Sequence, residues 1–187
     1  LLRQRVTDHL LVVYNQHPHR DPPLSRLYLS YRVTAFGRPE NRMIHIRPAL
    51  LDDLDFISSL LPDARSRDLN ALITPRHGVT LLAHAGDQPA GIGRALRWKT
   101  GAEICDLTVL PAYRRRGIAS ALLRALLRGC ADHGAAFVEL TCRRDNTAAL
   151  ALYTRFRFVP ARTLHIDSQI HLLLRLESLV LEDFRRD

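Results

Sequence analysis

Residues 111–127 read PAYRRRGIASALLRALL: three consecutive arginines meet a glycine, and an apolar-periodic segment begins at once. The chemistry such a junction can do is anion binding. A helix starts with backbone N–H groups that have no partner inside the helix, and its dipole puts partial positive charge at the same end. Where a strand, a tight turn and such a helix follow one another, those amides converge on one point. Gly117 has no Cβ and lets the backbone approach a ligand closely. Arg114, Arg115 and Arg116 add full charges there, and Ile118, Ala119 and Ser120 open the helix. Several donors in a row suit a diphosphate better than a single carboxylate. The competing reading is a solvated basic loop. The apolar run before it, Pro111 and the small residues after it weigh against that.

The elements that must hold this turn are written on both sides of it. Ile118, Leu122 and Leu126 form one i, i+4 row, with Leu123, Leu127 and Cys130 beside it and Arg124, Arg128 and Asp132 opposite. This helix is expected to end at His133-Gly134, with Gly134 just past its end. EICDLTVL before it and AFVELTC after it read as strands. Upstream, MIHIRPA reads as a strand, and Asp52 or Asp53 is expected to cap a helix through Leu61 with Leu54, Ile57, Leu60 and Leu61 on one face. A further helix is expected from Ala64 to Ile73. VTLLAHA and PAGIGRALRW read as a hairpin across Gly86-Asp87-Gln88. Downstream, NTAALALYTRF reads as a helix, FVP and HIDSQIHLLLRLE as terminal strands, and the tail ESLVLEDFRRD has no assignment. The order from Met43 is β-α-α-β-β-β-α-β-α-β-β. That is α/β, and the central strand-helix-strand unit requires parallel strands, so the sheet is mixed with helices on its faces.

The bulk properties bound the rest. A chain of 187 residues holds one domain with a real core. Its 47% apolar and 25% charged content are ordinary for a globular protein. No apolar run approaches the ~18 residues of a membrane span, and the first residues lack a secretory pattern. A cytoplasmic protein without a membrane partner is expected. Cys105, Cys130 and Cys142 are scattered without CxxC spacing and read as small buried hydrophobes. The net charge of +8 is almost all arginine, since Lys99 is the single lysine. Residues 1–42 carry seven arginines against Asp8, Asp21 and Glu40, so half of the net charge lies there. That segment is rich in Pro, His and Arg and shows no sustained period. It is expected to be a poorly structured or non-native extension, apart from short apolar pieces at Leu10 to Tyr14 and Leu27 to Val33 that suit a helix or strand. The functional domain is expected over 43–187, starting at the lone methionine, Met43.

LTVLPAYRRRGIASALL resembles motif A of the GNAT superfamily of N-acetyltransferases: a strand, V-x-P-x-x-R/Q, then R/Q-x-x-G-x-G/A. DNTAALALYTRFRF is similar to its motif B through Asn146, Ala149, Leu152, Tyr153 and Phe158. IRPALLDDLDFI resembles the family's first strand and helix, so the likeness spans about Met43 to Arg175. The resemblance implies a GNAT-like acyl-CoA N-acyltransferase fold, a central twisted mixed sheet with helices on both faces. It implies a transferase that moves the acetyl group of acetyl-CoA to a primary amine by direct attack within a ternary complex, with no metal. By similarity, the strand Leu107-Thr108-Val109 would pair with the pantetheine arm. The amide near Val109 would stabilise the developing oxyanion. Arg114, Arg115, Arg116, Gly117, Ile118, Ala119 and Ser120 would cradle the pyrophosphate, and Asn146 would touch the cofactor arm. Asn146 also suits a helix N-cap.

An alkylamine is mostly protonated at pH 7, so a base must act directly or through water. Glu103, Asp106 and Glu139 are the candidates. Alternation puts Glu103 on the face of Cys105 and Leu107, and Asp106 on the face of Thr108. Some family members carry a glutamate five residues before the motif B asparagine; here that residue is Thr141. Tyr153 would protonate the departing thiolate, against a reading as a packed core aromatic. Two departures stand out: Ala119 replaces the commoner second glycine, and Arg157 replaces the glycine before Phe158. A side chain at the latter would be strained in the left-handed conformation or would end the helix differently.

Two other classes compete. One is a non-catalytic GNAT-like module that binds acyl-CoA or a partner. The other is a basic nucleic-acid binder, disfavoured by the 6% aromatic content and the lack of a nucleic-acid motif. His9, His17 and His19 lack acidic or cysteine partners at metal-ligand spacing. The acceptor, whether a small molecule or a protein amine, and a homodimer both stay open on sequence.

Overall fold

The computed structural model describes residues 44–61 and 78–185, together with three strands that precede them: β1 (Arg3–Thr7), β2 (Leu10–Tyr14) and β3 (Tyr31–Val33). The described residues group into two compact units. One takes those within Asp21–Leu96 and Asp106–Leu126; the other takes those within Leu1–Arg20, Arg97–Cys105 and Leu127–Asp187.

In the first unit the strands stand in the order β3, β4 (Ile44–Pro48), β5 (Gly78–Ala85), β6 (Gln88–Arg97), β7 (Ala102–Val109). β3, β4, β5 and β6 pair antiparallel in turn. The β5–β6 hairpin turns at Gly86-Asp87, and Gln88 already belongs to β6. Helix α1 (Leu54–Leu60) buries Ile57 against Ala49, Leu82 and Ile92, with Leu54, Phe56, Leu60 and Leu61 around them. That is the expected apolar face. The expected cap is not made. The Asp53 carboxylate accepts both arms of the Arg47 guanidinium, at 2.6 and 2.7 Å, and the Leu50 N–H at 2.7 Å. Burial alone would raise the Asp53 pKa; the Arg47 fork and the Leu50 amide outweigh it and hold it below the usual carboxylate value. The pair ties β4 to the single turn Leu51–Asp53 that leads into α1. The helix expected over 64–73 lies outside the described residues.

Two neighbouring residues of β6 show that helices cover both faces here. Ile92 packs into the α1 cluster. A Cβ built on Gly93 would meet Leu126 at 3.0 Å and Leu122 at 3.6 Å, both on α2 (Ile118–Asp132). Successive strand residues point to opposite faces, so α1 and α2 lie on opposite sides of β6.

In the second unit the order is β7, β8 (Phe137–Arg143), β10 (Gln169–Glu177), β9 (Val159–Ile166), and β1 and β2 form an antiparallel pair. β7 and β8 are parallel, with Ala102 opposite Val138 and Glu103 opposite Glu139. The α2 crossover makes them so. β10 is antiparallel to both β8 and β9. The architecture is therefore α/β with a mixed sheet, as the element order implied. α2 closes as expected: Gly134 has φ +70°, and the Ala135 N–H donates to the Cys130 carbonyl at 3.0 Å. Helix α3 (Thr147–Arg155) follows β8. β9 runs past the FVP piece read from sequence into the start of the second, whose Gln169–Glu177 part is β10, and β9 bulges at Ala161 opposite Leu173 and Leu174. The unassigned tail forms α4 (Ser178–Arg185), with Leu181 and Phe184 buried.

Of the two N-terminal apolar pieces, Leu10–Tyr14 is a strand and Tyr31–Val33 is the strand end of the second; apart from these and β1, residues 1–43 lie outside the described residues. Cys105, Cys130 and Cys142 are free and buried, and burial raises the Cys130 thiol to about 12. Among the described residues no helix is long and apolar enough to cross a membrane.

Candidate functional site

The first unit holds the candidate anion-binding turn. β7 ends at Val109, and a single turn, Pro111–Tyr113, leads into the arginine run. Arg114 is extended with φ −64°, Arg115 is left-handed with φ +62°, and Gly117 is left-handed with φ +85°. Left-handed residues interleaved with right-handed ones turn consecutive N–H groups toward a common concavity. Among the described residues, no backbone carbonyl accepts the N–H groups of Arg115, Arg116, Gly117, Ile118 and Ala119; the intrahelical ladder begins with Ala121, whose N–H donates to the Gly117 carbonyl at 3.0 Å. Among the described residues, a Cβ on Gly117 would meet Ile44 Cδ1 at 4.0 Å. Five N–H groups that no backbone carbonyl accepts among the described residues, a left-handed turn and three arginines fit the diphosphate of a nucleotide cofactor. The arginines differ in their ties. Arg114 Nε donates to the Val109 carbonyl at 3.1 Å, bracing the turn against the strand end, whereas the Arg116 guanidinium lies 5.3 Å over the Tyr113 ring. Ile118 is buried and anchors the helix start, while Ala119 and Ser120 are half-buried.

Leu107, Thr108 and Val109 are half-buried at the end of β7. Gly91 on β6 lets that strand end come close: a Cβ there would stand 2.7 Å from the Thr108 carbonyl oxygen and 3.2 Å from Val109 Cγ2. Backbone cannot give way as a flexible side chain can. Gly91→Ala is expected to lower unfolding stability by about 1–3 kcal/mol, the usual cost of overpacking. Denaturant melts that superimpose on wild type would refute this. A glycine inside a strand pattern is itself a sign of close backbone approach, so Gly91 in PAGIG was open to sequence reading and was missed.

Asp106 lies in the same unit, on the α1 side of the sheet. It is 2% exposed and accepts from Arg94 Nη1 at 2.7 Å, with Arg94 3% exposed. A carboxylate enclosed with a guanidinium partner suits a structural ion pair between β6 and β7 better than a base, a reading that Asp106→Ala tests. Arg94 was not singled out from sequence. Its signal was an arginine in the alternating stripe Ala90, Ile92, Arg94, which demands a buried partner.

The second unit holds the other candidates. Glu103 and Glu139 are half-buried cross-strand partners at the last paired position of β7 and β8. Arg175 Nε stands 3.6 Å from Glu139 and 3.2 Å from Glu177, and its guanidinium covers the Phe137 ring at 3.8 Å. Thr141 is buried. Asn146 caps α3: its Oδ1 accepts the Ala149 N–H at 3.1 Å. Tyr153 is 2% exposed on α3. Burial first, and the nearby Cys142 second, raise its phenol above the ordinary tyrosine range, so it stays protonated at neutral pH. Arg157 has φ +66°, so the left-handed position expected of the replaced glycine is present and occupied by arginine. Among the described residues no group of three or more His, Cys, Asp or Glu is placed to hold a metal ion; His9, His17 and His19 lie outside them.

Three comparisons bear on this arrangement. Over 101 residues the chain is 38% identical to the N-alpha-acetyltransferase RimI of Mycobacterium tuberculosis (strain ATCC 25618 / H37Rv), a match spanning 52% of this chain and 60% of that protein. The fold is similar to the ribosomal-protein-S18-alanine N-acetyltransferase of Escherichia coli, with a TM-score of 0.63 at 20% identity over 72% of this chain and 94% of that one. It is also similar to Arabidopsis thaliana NAA60 in complex with acetyl-CoA, with a TM-score of 0.62 at 20% identity over 72% of this chain and 99% of that one. The family model for the acetyltransferase (GNAT) family matches residues 47–158, more than half of the chain. The chain belongs to the acetyltransferase (GNAT) family.

Proposed function

We propose that this protein transfers the acetyl group of acetyl-CoA to a primary amine, with the α-amine of a protein N-terminus as the first acceptor to test. The observation that carries the reading is the row of N–H groups from Arg115 to Ala119 at the head of α2, which no backbone carbonyl among the described residues accepts. Bound acetyl-CoA supplies an activated thioester. The loop from Arg114 to Ser120 holds its diphosphate, and Leu107, Thr108 and Val109 align its arm by backbone pairing. The Val109 amide faces the oxygen on which charge develops. The Oδ1 of Asn146 is used by the cap, which leaves its NH₂ group to donate to the arm. Glu103 or Glu139 removes a proton from the acceptor ammonium, directly or through water. Tyr153 holds a proton at Oη for the sulfur that leaves. The name of the RimI relative supports the protein α-amine as acceptor.

The test is thiol release from acetyl-CoA with a panel of peptides bearing free N-termini, lysine side chains and polyamines. Turnover with one class assigns the acceptor. Cofactor binding without turnover on any amine would instead support a non-catalytic module.

We also place the domain's start at Met43. The solved relatives are covered almost whole, at 94% and 99%, by 72% of this chain, and the family match begins at residue 47. A chain starting at Met43 should fold and bind acetyl-CoA as the full chain does; an unfolded or non-binding product would overturn this boundary.

A further inference from the structure

We propose that the C-terminal helix α4 is a brace that positions Tyr153 by clamping the corner where α3 turns into β9. The inference rests on the reading of Tyr153 as proton donor. The corner is Phe156-Arg157-Phe158, and its residues are held from two sides. On one side stands α4. The Phe156 ring stacks on Phe184 with centroids 5.9 Å apart and planes 8° from parallel. Both rings are buried, and Leu181, 1% exposed, seats the helix. Arg157, left-handed at φ +66°, donates from Nη1 to Asp183 Oδ2 at 3.0 Å. On the other side stands Tyr153. Its carbonyl accepts the N–H groups of Phe156 at 3.0 Å and Phe158 at 3.1 Å. Its ring meets the Phe158 ring edge-on, with centroids 5.9 Å apart and planes at 63°.

The exposed ion pair between Arg157 and Asp183 is a weak tie. The buried ring stack is the stronger one. Together they fix a backbone conformation that an arginine does not adopt readily. A proton donor works within hydrogen-bond reach of its acceptor, and a misplacement of about 1 Å can cost roughly 10²-fold in rate. Phe184 and Asp183 are thus positioning residues, acting through the corner on Tyr153.

The experiment compares the full chain with Phe184→Ala, Phe184→Tyr and Tyr153→Phe, each alone, and with Phe184→Ala in the Tyr153→Phe background. The first readout needs no turnover: alkaline ultraviolet titration of the tyrosines, with Tyr153 isolated by subtracting the Tyr153→Phe curve. In Phe184→Ala, read against Phe184→Ala in the Tyr153→Phe background, the Tyr153 phenol should titrate at lower pH than in wild type; Phe184→Tyr, which adds a phenol of its own, is read by turnover, which it should restore. The second is thiol release with acetyl-CoA and a peptide bearing a free α-amine. There Phe184→Ala should lower kcat about tenfold at nearly constant KM for acetyl-CoA, and should add nothing once Tyr153 is phenylalanine. Should Phe184→Ala fail to fold, Phe184→Leu carries the same comparison. An unchanged Tyr153 titration in the loosened variant overturns the brace, whatever the turnover. Full turnover in Tyr153→Phe overturns the donor reading instead.

Discussion

Tyr153→Phe is expected to lower kcat by about 10²–10⁴-fold, the usual contribution of a positioned acid. The KM for acetyl-CoA should stay nearly constant, because the interaction lost is made in the transition state. The ring stays, and so does its edge-on contact with Phe158, so the fold should not suffer. The pH dependence has a definite sign. A donor must be protonated, so activity falls as pH rises through its pKa. Burial, aided by Cys142, raises the Tyr153 phenol. The basic limb set by this group therefore lies above the ordinary tyrosine value of about 10, and it should vanish in the variant. Unaltered kcat would return Tyr153 to the status of a core aromatic.

Asp106→Ala is expected to cost about 3–5 kcal/mol of unfolding stability, as removal of one partner of a buried ion pair does. Both side chains are 3% exposed at 2.7 Å, so solvent screens little of the interaction. That loss is a large share of the roughly 5–15 kcal/mol by which domains are stable. Chemical denaturation measures it, and thiol release per folded molecule separates stability from chemistry. A structural pair predicts strong destabilisation with activity kept among the molecules that still fold. Wild-type stability with lost turnover would restore Asp106 as the base.

The head of α2 was legible because its signals are local. Ile118, Leu122 and Leu126 carry the helical period, Gly134 its end, and Gly117 the tight turn before it, each within a few residues of the structure it specifies. Asn146 was readable as a cap for the same reason. What sequence did not yield depends on strand register or on distant partners. The Arg94–Asp106 pair needs β6 placed beside β7. Asp53 has the residue type of a cap, yet Arg47, six positions earlier on β4, competes for its carboxylate and prevails with two charge-assisted bonds. α4 is short, and a short helix draws its stability from packing rather than propensity; Phe184 finds that packing on Phe156, which no local pattern announces. At Arg157 the local rule was informative in its violation: the backbone keeps the glycine's conformation, and the arginine side chain reaches Asp183.

The most direct test of the central claim is calorimetric titration of acetyl-CoA into the full chain and into Gly117→Val. Valine cannot readily hold φ +85°, so the turn must re-route and its amides disperse. A charge-assisted hydrogen bond is worth about 1.5–3 kcal/mol, and each 1.4 kcal/mol is about tenfold in Kd. The account predicts measurable binding to the full chain, weakened roughly tenfold to 100-fold in a variant that still melts cooperatively. No heat with the full chain, or equal affinity in both, would contradict it.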